Sequence, residues 1–217
     1  MNVVLFDLDG TLVDSSEPIL RSLNAAFHHH GLPTIDKARL SRHIGPPLRE
    51  SISELIDETG AHDIDLGRLI ETYREAYSAL SLELALAYPG IPQLLDRLDG
   101  QARLGVVTSK PRRFALPILG ALDFSSHLEV IEGPRTGEDE PKAITLARAL
   151  SALGVNATTG DVWMVGDRSH DVAAGRSAGA TTIGVTWGFG SAAELIAAGV
   201  DRLVDSPDDI DASIFTG

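Results

Sequence analysis

The chain contains no cysteine. Disulfides, zinc–thiolate centres and thiol nucleophiles are therefore excluded. Such a chain suits a reducing compartment, and the expected location is the cytoplasm. Long apolar runs are also missing. Val3-Val4-Leu5-Phe6 ends at Asp7, far too short for a signal peptide or a membrane span. Positive charge is scarce: 18 Lys and Arg stand against 31 Asp and Glu, a net charge of −13. No local basic patch offsets this field, so neither nucleic acid nor an anionic membrane is an expected partner. Internal repeats and low-complexity tracts are absent as well. What remains is a chain of 217 residues, 43% hydrophobic and 23% charged. That is ample for a real core in one large domain or two modest ones.

The first run reads as a buried strand ending in turn residues. From Ser15 to about Ala87 the apolar spacing becomes three and four. Ile19, Leu20, Leu23, Ala26 and Phe27 share one face; Leu48, Ile52, Leu55 and Ile56 a second; Leu66, Leu69, Ile70, Tyr73 and Tyr77 a third. These are amphipathic helices. Tyr88-Pro89-Gly90 punctuates the chain, and the rhythm then changes. Strands near 104–107, 128–131, 162–165, 181–185 and, weakly, 202–204 alternate with helices near 91–99, 111–120, 141–153, 170–178 and 191–198. That alternation predicts an α/β fold, a doubly wound parallel sheet of Rossmann-like form. Residues 1–14 and 88–217 make its core, and 15–87 form a helical insertion.

Asp7 and Asp9 follow the first strand two residues apart. Carboxylates this close repel unless a cation lies between them or one is protonated. A hard divalent cation on oxygen ligands, Mg²⁺, is expected. Gly10 lets the chain turn sharply behind them. A second pair, Asp167 and Asp171, follows the apolar strand at 162–165, one helical turn apart. Val107-Thr108-Ser109-Lys110-Pro111 ends another strand with hydroxyls ahead of a helix, a ready anion site. Lys142, the only lysine after position 111, opens a further helix and can balance a phosphoryl group. All of these fall beyond the carboxyl ends of strands, where doubly wound sheets gather function. Asp7 then reads as a nucleophile toward phosphorus, Asp9 as its acid/base partner, and the cation as the counter-charge.

These residues resemble the haloacid dehalogenase superfamily, in its phosphoglycolate phosphatase-like branch. Asp7-Leu8-Asp9-Gly10-Thr11-Leu12-Val13-Asp14-Ser15 is similar to the nucleophile motif. Val107 to Pro111 resembles the phosphate-binding hydroxyl motif, Lys142 the family lysine, Gly166-Asp167-Arg168-Ser169-His170-Asp171 the metal motif, and Gly184 to Ser191 the closing loop. The insertion sits where the branch carries a helical cap. In many relatives the lysine directly precedes a proline, whereas here Pro141 precedes Lys142. The resemblance implies an aspartyl-phosphate on Asp7, with Asp9 protonating the leaving alcohol and then activating water. Thr108, the Ser109 N–H and Lys142 would hold phosphoryl oxygens. Mg²⁺ would be bound by the Asp7 carboxylate, the Asp9 carbonyl and Asp167, with Asp171 orienting waters or Lys142. Arg49, after the loop Ile44-Gly45-Pro46-Pro47-Leu48, is expected to read a substrate carboxylate or second phosphate.

Blander assignments accompany these. His28-His29-His30 reads as a solvated helix end, Trp163 as core, and Glu138 to Glu140 as a solvated face. The leading expectation is a Mg²⁺-dependent phosphomonoesterase for a small phosphorylated metabolite. Phosphoglycolate, sugar phosphates, nucleoside monophosphates and pyrophosphate all lie within the branch. A phosphomutase of the β-phosphoglucomutase type is the nearest rival, and a catalytically silent phospho-ligand-binding protein the rival of another class. Dehalogenation is disfavoured, because halide leaves without the proton Asp9 would supply. A monomer and a homodimer are both compatible with the sequence.

Overall fold

The computed structural model describes residues 1–135, 140–155 and 161–211. Six strands form one parallel sheet: β1 (Val3–Phe6), β4 (Arg103–Val107), β5 (Leu128–Glu132), β6 (Val162–Gly166), β7 (Thr181–Val185) and β8 (Arg202–Val204). Their order is β5-β4-β1-β6-β7-β8, so the first strand lies at the centre and the chain winds outward both ways. Every residue of β1 and β6 is buried. Strands covered on both faces need apolar side chains at every position, which is why these runs are continuous rather than alternating.

The two faces still separate by parity. Val4 and Phe6 join one apolar cluster, with α5 (Ile91–Leu98) and α6 (Arg112–Ala121). Val3 and Leu5 join the other, with α7 (Lys142–Leu153) and Ala174 of α8 (Ser169–Ala178). In α5, Gly90 at φ +88° precedes the first turn, and a proline within that turn needs no amide partner. Ile91, Leu94, Leu95 and Leu98 bury one complete stripe. Replacing Leu94 by Ala should cost about 2–5 kcal/mol, because so enclosed a site cannot collapse around the void.

Four helices occupy the insertion: α1 (Ser16–His29), α2 (Lys37–Ser41), α3 (Leu48–Thr59) and α4 (Leu66–Leu84). The Asp36 and Asp65 carboxylates accept from the Arg39 and Arg68 amides and so cap α2 and α4. Gly60, left-handed at φ 70°, ends α3. Apolar spacing revealed three of these helices. The fourth, α2, has five residues and buries only Leu40, too little to show a period. The two connections to the sheet pair as a short antiparallel ribbon, β2 (Val13–Asp14) with β3 (Leu86–Ala87). Two-residue strands carry no periodicity, so the sequence is silent about them. A last helix, α9 (Ala192–Ala197), precedes β8.

Trp163 is core, as expected, at 3% exposure. His28 and His29 are exposed in the last turn of α1, whereas His30 departs from the solvated reading: it is half-buried, with its Nε2 3.2 Å from the Thr72 hydroxyl of α4. Glu138 and Asp139 lie outside the described residues. Glu140 corrects the solvated-face expectation: it is half-buried and accepts from Arg148 at 2.6 Å and from Thr145 at 2.9 Å. Arg148, the seventh residue of α7, draws it inward. No helix among the described residues is long and apolar enough to cross a membrane.

Candidate active site

Strand register assembles the site. Phe6 is level with Val106 on β4 and Val165 on β6. One or two residues further on, Asp7, Thr108 and Asp167 emerge together at the carboxyl edge. Past Asp7 the chain folds back: the amides of Leu12 and Val13 both donate to the Leu8 carbonyl, at 3.0 and 2.9 Å. Gly10 makes this turn at φ +88°, and a Cβ there would lie 2.3 Å from Asp167 Oδ2. Only glycine fits, for conformation and for space.

Asp7, Asp167 and Asp171 are all buried, with one oxygen of each within 4.8 Å of the others. The closing loop grips Asp167. The Phe189 amide donates to Asp167 Oδ2 at 2.7 Å, and the Gly190 amide at 3.3 Å. The Trp187 indole N–H ties the loop to the Thr11 carbonyl at 3.0 Å. Gly188 lets it come this close, since a Cβ would meet the Gly10 carbonyl oxygen at 2.2 Å.

Lys142 enters from the first turn of α7. Its ammonium lies 2.9 Å from Asp7 Oδ1 and 2.5 Å from Asp171 Oδ1. Asp171 Oδ2 accepts from the Arg168 amide at 3.0 Å, so both oxygens of Asp171 are engaged. Asp7 Oδ1, though beside the ammonium, makes no aligned hydrogen bond and is shut off from water. Three buried carboxylates facing one another with one lysine between two of them fit a hard divalent cation, so the residues present could hold one.

The electrostatics agree with the geometry. Burial, opposed by Lys142 and reinforced by the other three carboxylates, pushes Asp7 from 3.8 up to about 8. Burial and Asp171 push Asp167 from 3.8 up to about 7, against the Phe189 and Gly190 amides. Burial lowers Lys142, but Asp171 and Asp7 outweigh it and hold the lysine charged.

Thr108 is buried, and its hydroxyl oxygen accepts from the Lys110 amide at 3.1 Å, leaving its own proton to donate. Asp7, Asp9, Thr108 and Ser109 line one cavity beneath the helical insertion. Lys142, Asp167 and Asp171 sit behind it and reach it through Asp7. The insertion contributes apolar side chains, Ile19, Ile44, Leu48 and Tyr73, together with His43 and Arg74. Arg168, in the metal motif, donates to the Ile44 carbonyl and so ties the loop at 43–46 to the sheet.

One expected residue lies apart from the cavity, and two residues without an expected role lie at it. Arg49 is exposed at the start of α3 and is not among the residues lining the cavity, while Arg74 is. Helix α3 turns Leu48 inward, and the neighbouring position faces out. Lys110, quoted within the hydroxyl motif yet given no role, is buried and pairs with Asp9 at 2.7 Å. Its position next to a strand end was the available signal. Tyr77, read as part of an apolar stripe, meets that lysine at 2.7 Å.

A buried carboxylate that lines the cavity, an acidic cluster behind it that could hold a cation and hydroxyls beside it are compatible with binding a phosphoryl group. The class so defined is that of a phosphatase. Residues 4–185 match the model of the haloacid dehalogenase-like hydrolases, and the chain belongs to that family. It is 34% identical to a phosphoglycolate phosphatase of Chromobacterium violaceum over 95% of this chain and 93% of that protein. It is 37% identical to a 5′-nucleotidase of Pseudomonas aeruginosa over 88% of this chain and 86% of that protein. A crystal structure of a predicted phosphatase from Clostridium acetobutylicum superposes with a TM-score of 0.88 at 32% identity, covering 100% of this chain and 99% of that one.

Proposed function

We propose that the chain is a Mg²⁺-dependent phosphomonoesterase for a small phosphorylated metabolite, working in the cytoplasm, with residues 15–87 as a cap over the core. The observation that carries this reading is the position of Asp7. It lines the cavity and also touches the buried cluster of Lys142, Asp167 and Asp171.

Asp7 attacks phosphorus. An O–P bond forms to its carboxylate while the bond to the leaving oxygen breaks. Asp9, two residues on and facing the same cavity, hands its proton to that oxygen, so an alcohol departs. It then takes a proton from the water that attacks the aspartyl-phosphate, which releases inorganic phosphate and returns Asp7 as a carboxylate and Asp9 in its protonated form. Thr108 and the Ser109 amide donate to the phosphoryl oxygens. Lys142 offsets their charge and orients Asp7, with Asp171 fixing the lysine. Mg²⁺, held by Asp7, Asp167 and the Asp9 carbonyl, would supply the positive charge that keeps the buried carboxylates ionised and polarises the phosphoryl group.

The relatives act on different phosphomonoesters, so the substrate must be read in the cavity. Its insertion-side walls are mostly apolar, with Arg74 as a charged contributor. This favours a leaving group with an apolar body and one acceptor over a fully polar one.

The test is phosphate release from a panel of phosphomonoesters, with Mg²⁺ or EDTA, for wild type and Asp7→Asn. Mg²⁺-dependent release that falls on the order of 10⁴-fold or more in Asp7→Asn is the expected result. Isomerised sugar phosphate without free phosphate would instead indicate a mutase, and folded protein inert toward the whole panel would indicate a silent binding protein.

A further inference from the structure

Lys110 and Tyr77 form a junction that the reaction as written does not use. The ammonium of Lys110 lies 2.7 Å from both carboxylate oxygens of Asp9. It also lies 2.7 Å from the Tyr77 hydroxyl and 4.7 Å from the centre of that ring. An ammonium has three protons. Two carboxylate oxygens and one phenol oxygen account for all of them, so in this arrangement none is left for a phosphoryl oxygen. The lysine and Asp9 side chains are only 7% and 13% exposed, where an ion pair is little screened.

The junction crosses between elements. Asp9 and Lys110 follow β1 and β4 of the sheet, whereas Tyr77 belongs to α4 of the insertion. Tyr77 has little freedom of its own: it stacks on Tyr73 and meets Phe114 of α6 edge-on, both at 5.6 Å. The position of α4 therefore sets where the hydroxyl stands, and the hydroxyl helps set the ammonium.

We propose that Lys110 and Tyr77 are positioning residues that hold the Asp9 carboxylate in place for proton transfer and make that placement depend on the docked insertion. The proposal rests on Asp9 being the proton donor: when one oxygen of Asp9 carries the proton for the leaving group, the ammonium keeps its bonds to the other oxygen and to the Tyr77 hydroxyl. If α4 swings away, the ammonium loses a hydrogen-bond partner and an aromatic face, and water reaches the pair. Proton delivery is then assembled only over an enclosed substrate.

The test uses leaving groups that differ in their need for a proton. The kcat/KM reports steps up to phosphoryl transfer to Asp7. It is measured for p-nitrophenyl phosphate, whose phenolate departs without a proton, and for the best alkyl phosphate of the panel. In Lys110→Met the alkyl value should fall on the order of 10²-fold and the p-nitrophenyl value by much less, the loss expected when a general acid is misplaced. Tyr77→Phe should show the same selectivity at about tenfold, and it keeps the test alive if Lys110→Met does not fold. Equal losses on both substrates, with a weakened inhibition by inorganic phosphate, would make Lys110 a phosphate ligand and overturn the proposal. An unchanged ratio in Tyr77→Phe would overturn its coupling to the insertion. Asp9→Asn separates the two levels. If it discriminates while Lys110→Met does not, only the positioning role fails. If it does not discriminate, the assignment of Asp9 as donor fails and the proposal with it.

Discussion

The two lysines flanking Asp7-Leu8-Asp9 solve opposite problems. Lys142 faces three buried carboxylates at the back of the site, and its partners, Asp7 and Asp171, come from the sheet edge and α8. Lys110 stands at the front, saturated by one carboxylate and one phenol from the insertion. The back is charge-dense and held within the sheet domain. The front is charge-neutral and depends on a second set of helices. The difference teaches that the two carboxylates of one Asp-x-Asp motif can be held by different parts of a chain: Asp7 from within the sheet domain, Asp9 in part through a residue of the insertion.

The sharpest way to break the comparison is Lys142→Met. It leaves the cluster of Asp7, Asp167 and Asp171 without its cation, and the buried partners are stranded. Phosphatase activity should fall on the order of 10²–10³-fold, the scale of a lost transition-state donor. Unfolding in urea with EDTA should show a loss of about 3–5 kcal/mol, as for a broken buried pair. Equal sensitivity to leaving group, unlike Lys110→Met, would mark the back as serving the nucleophile and not the acid.

A smaller effect probes how the closing loop shapes the acidic cluster. Gly188→Ala places a methyl where the Gly10 carbonyl and Asp167 already sit. The loop must retreat, and Asp167 loses the Phe189 amide. Mg²⁺ affinity, read from the activity titration, should weaken about 10–100-fold, the usual cost of losing a group that orients a ligand.

Next comes the pH dependence of stability, measured as Tm across pH in EDTA and in Mg²⁺. The folded chain holds Asp7 up at about 8 and Asp167 at about 7, from 3.8 when unfolded. Between these values the folded state binds more protons than the unfolded one. That contribution is complete below about pH 4 and is lost as pH rises through about 7 to 8. Tm in EDTA should therefore decline over that window. Added Mg²⁺, which binds the ionised carboxylates, should flatten the decline. A flat profile in EDTA would show that the back of the site is not charge-crowded.

The smallest expected effect separates two arginines. Arg49→Ala, on an exposed helix start outside the cavity, should change KM by less than about twofold, as surface changes usually do. Arg74→Ala, in the cavity wall, should raise KM several-fold for any substrate with an acceptor at that end. The reverse order would restore Arg49 as the residue that reads the substrate.

Much of this molecule is legible from local pattern. Continuous apolar runs mark β1 and β6, because a strand buried on both faces admits little else. Asp7, Asp9 and Asp167 stand out, because carboxylates at the ends of such runs are costly unless a cation or a proton offsets them, and Lys142 stands out as the only lysine after position 111. Spacing of three and four exposes α1, α3 and α4. Local pattern cannot show which side chains meet across the gap between sheet and insertion. Tyr77 fits the stripe of α4 equally well as plain core, and Lys110 fits a surface turn. Only the strand order that sets β4 beside β1, with α4 folded over both, brings them within 2.7 Å. Chemistry confined to one strand end is written in consecutive residues. Chemistry shared between distant elements depends on register and packing, which no short stretch of chain contains.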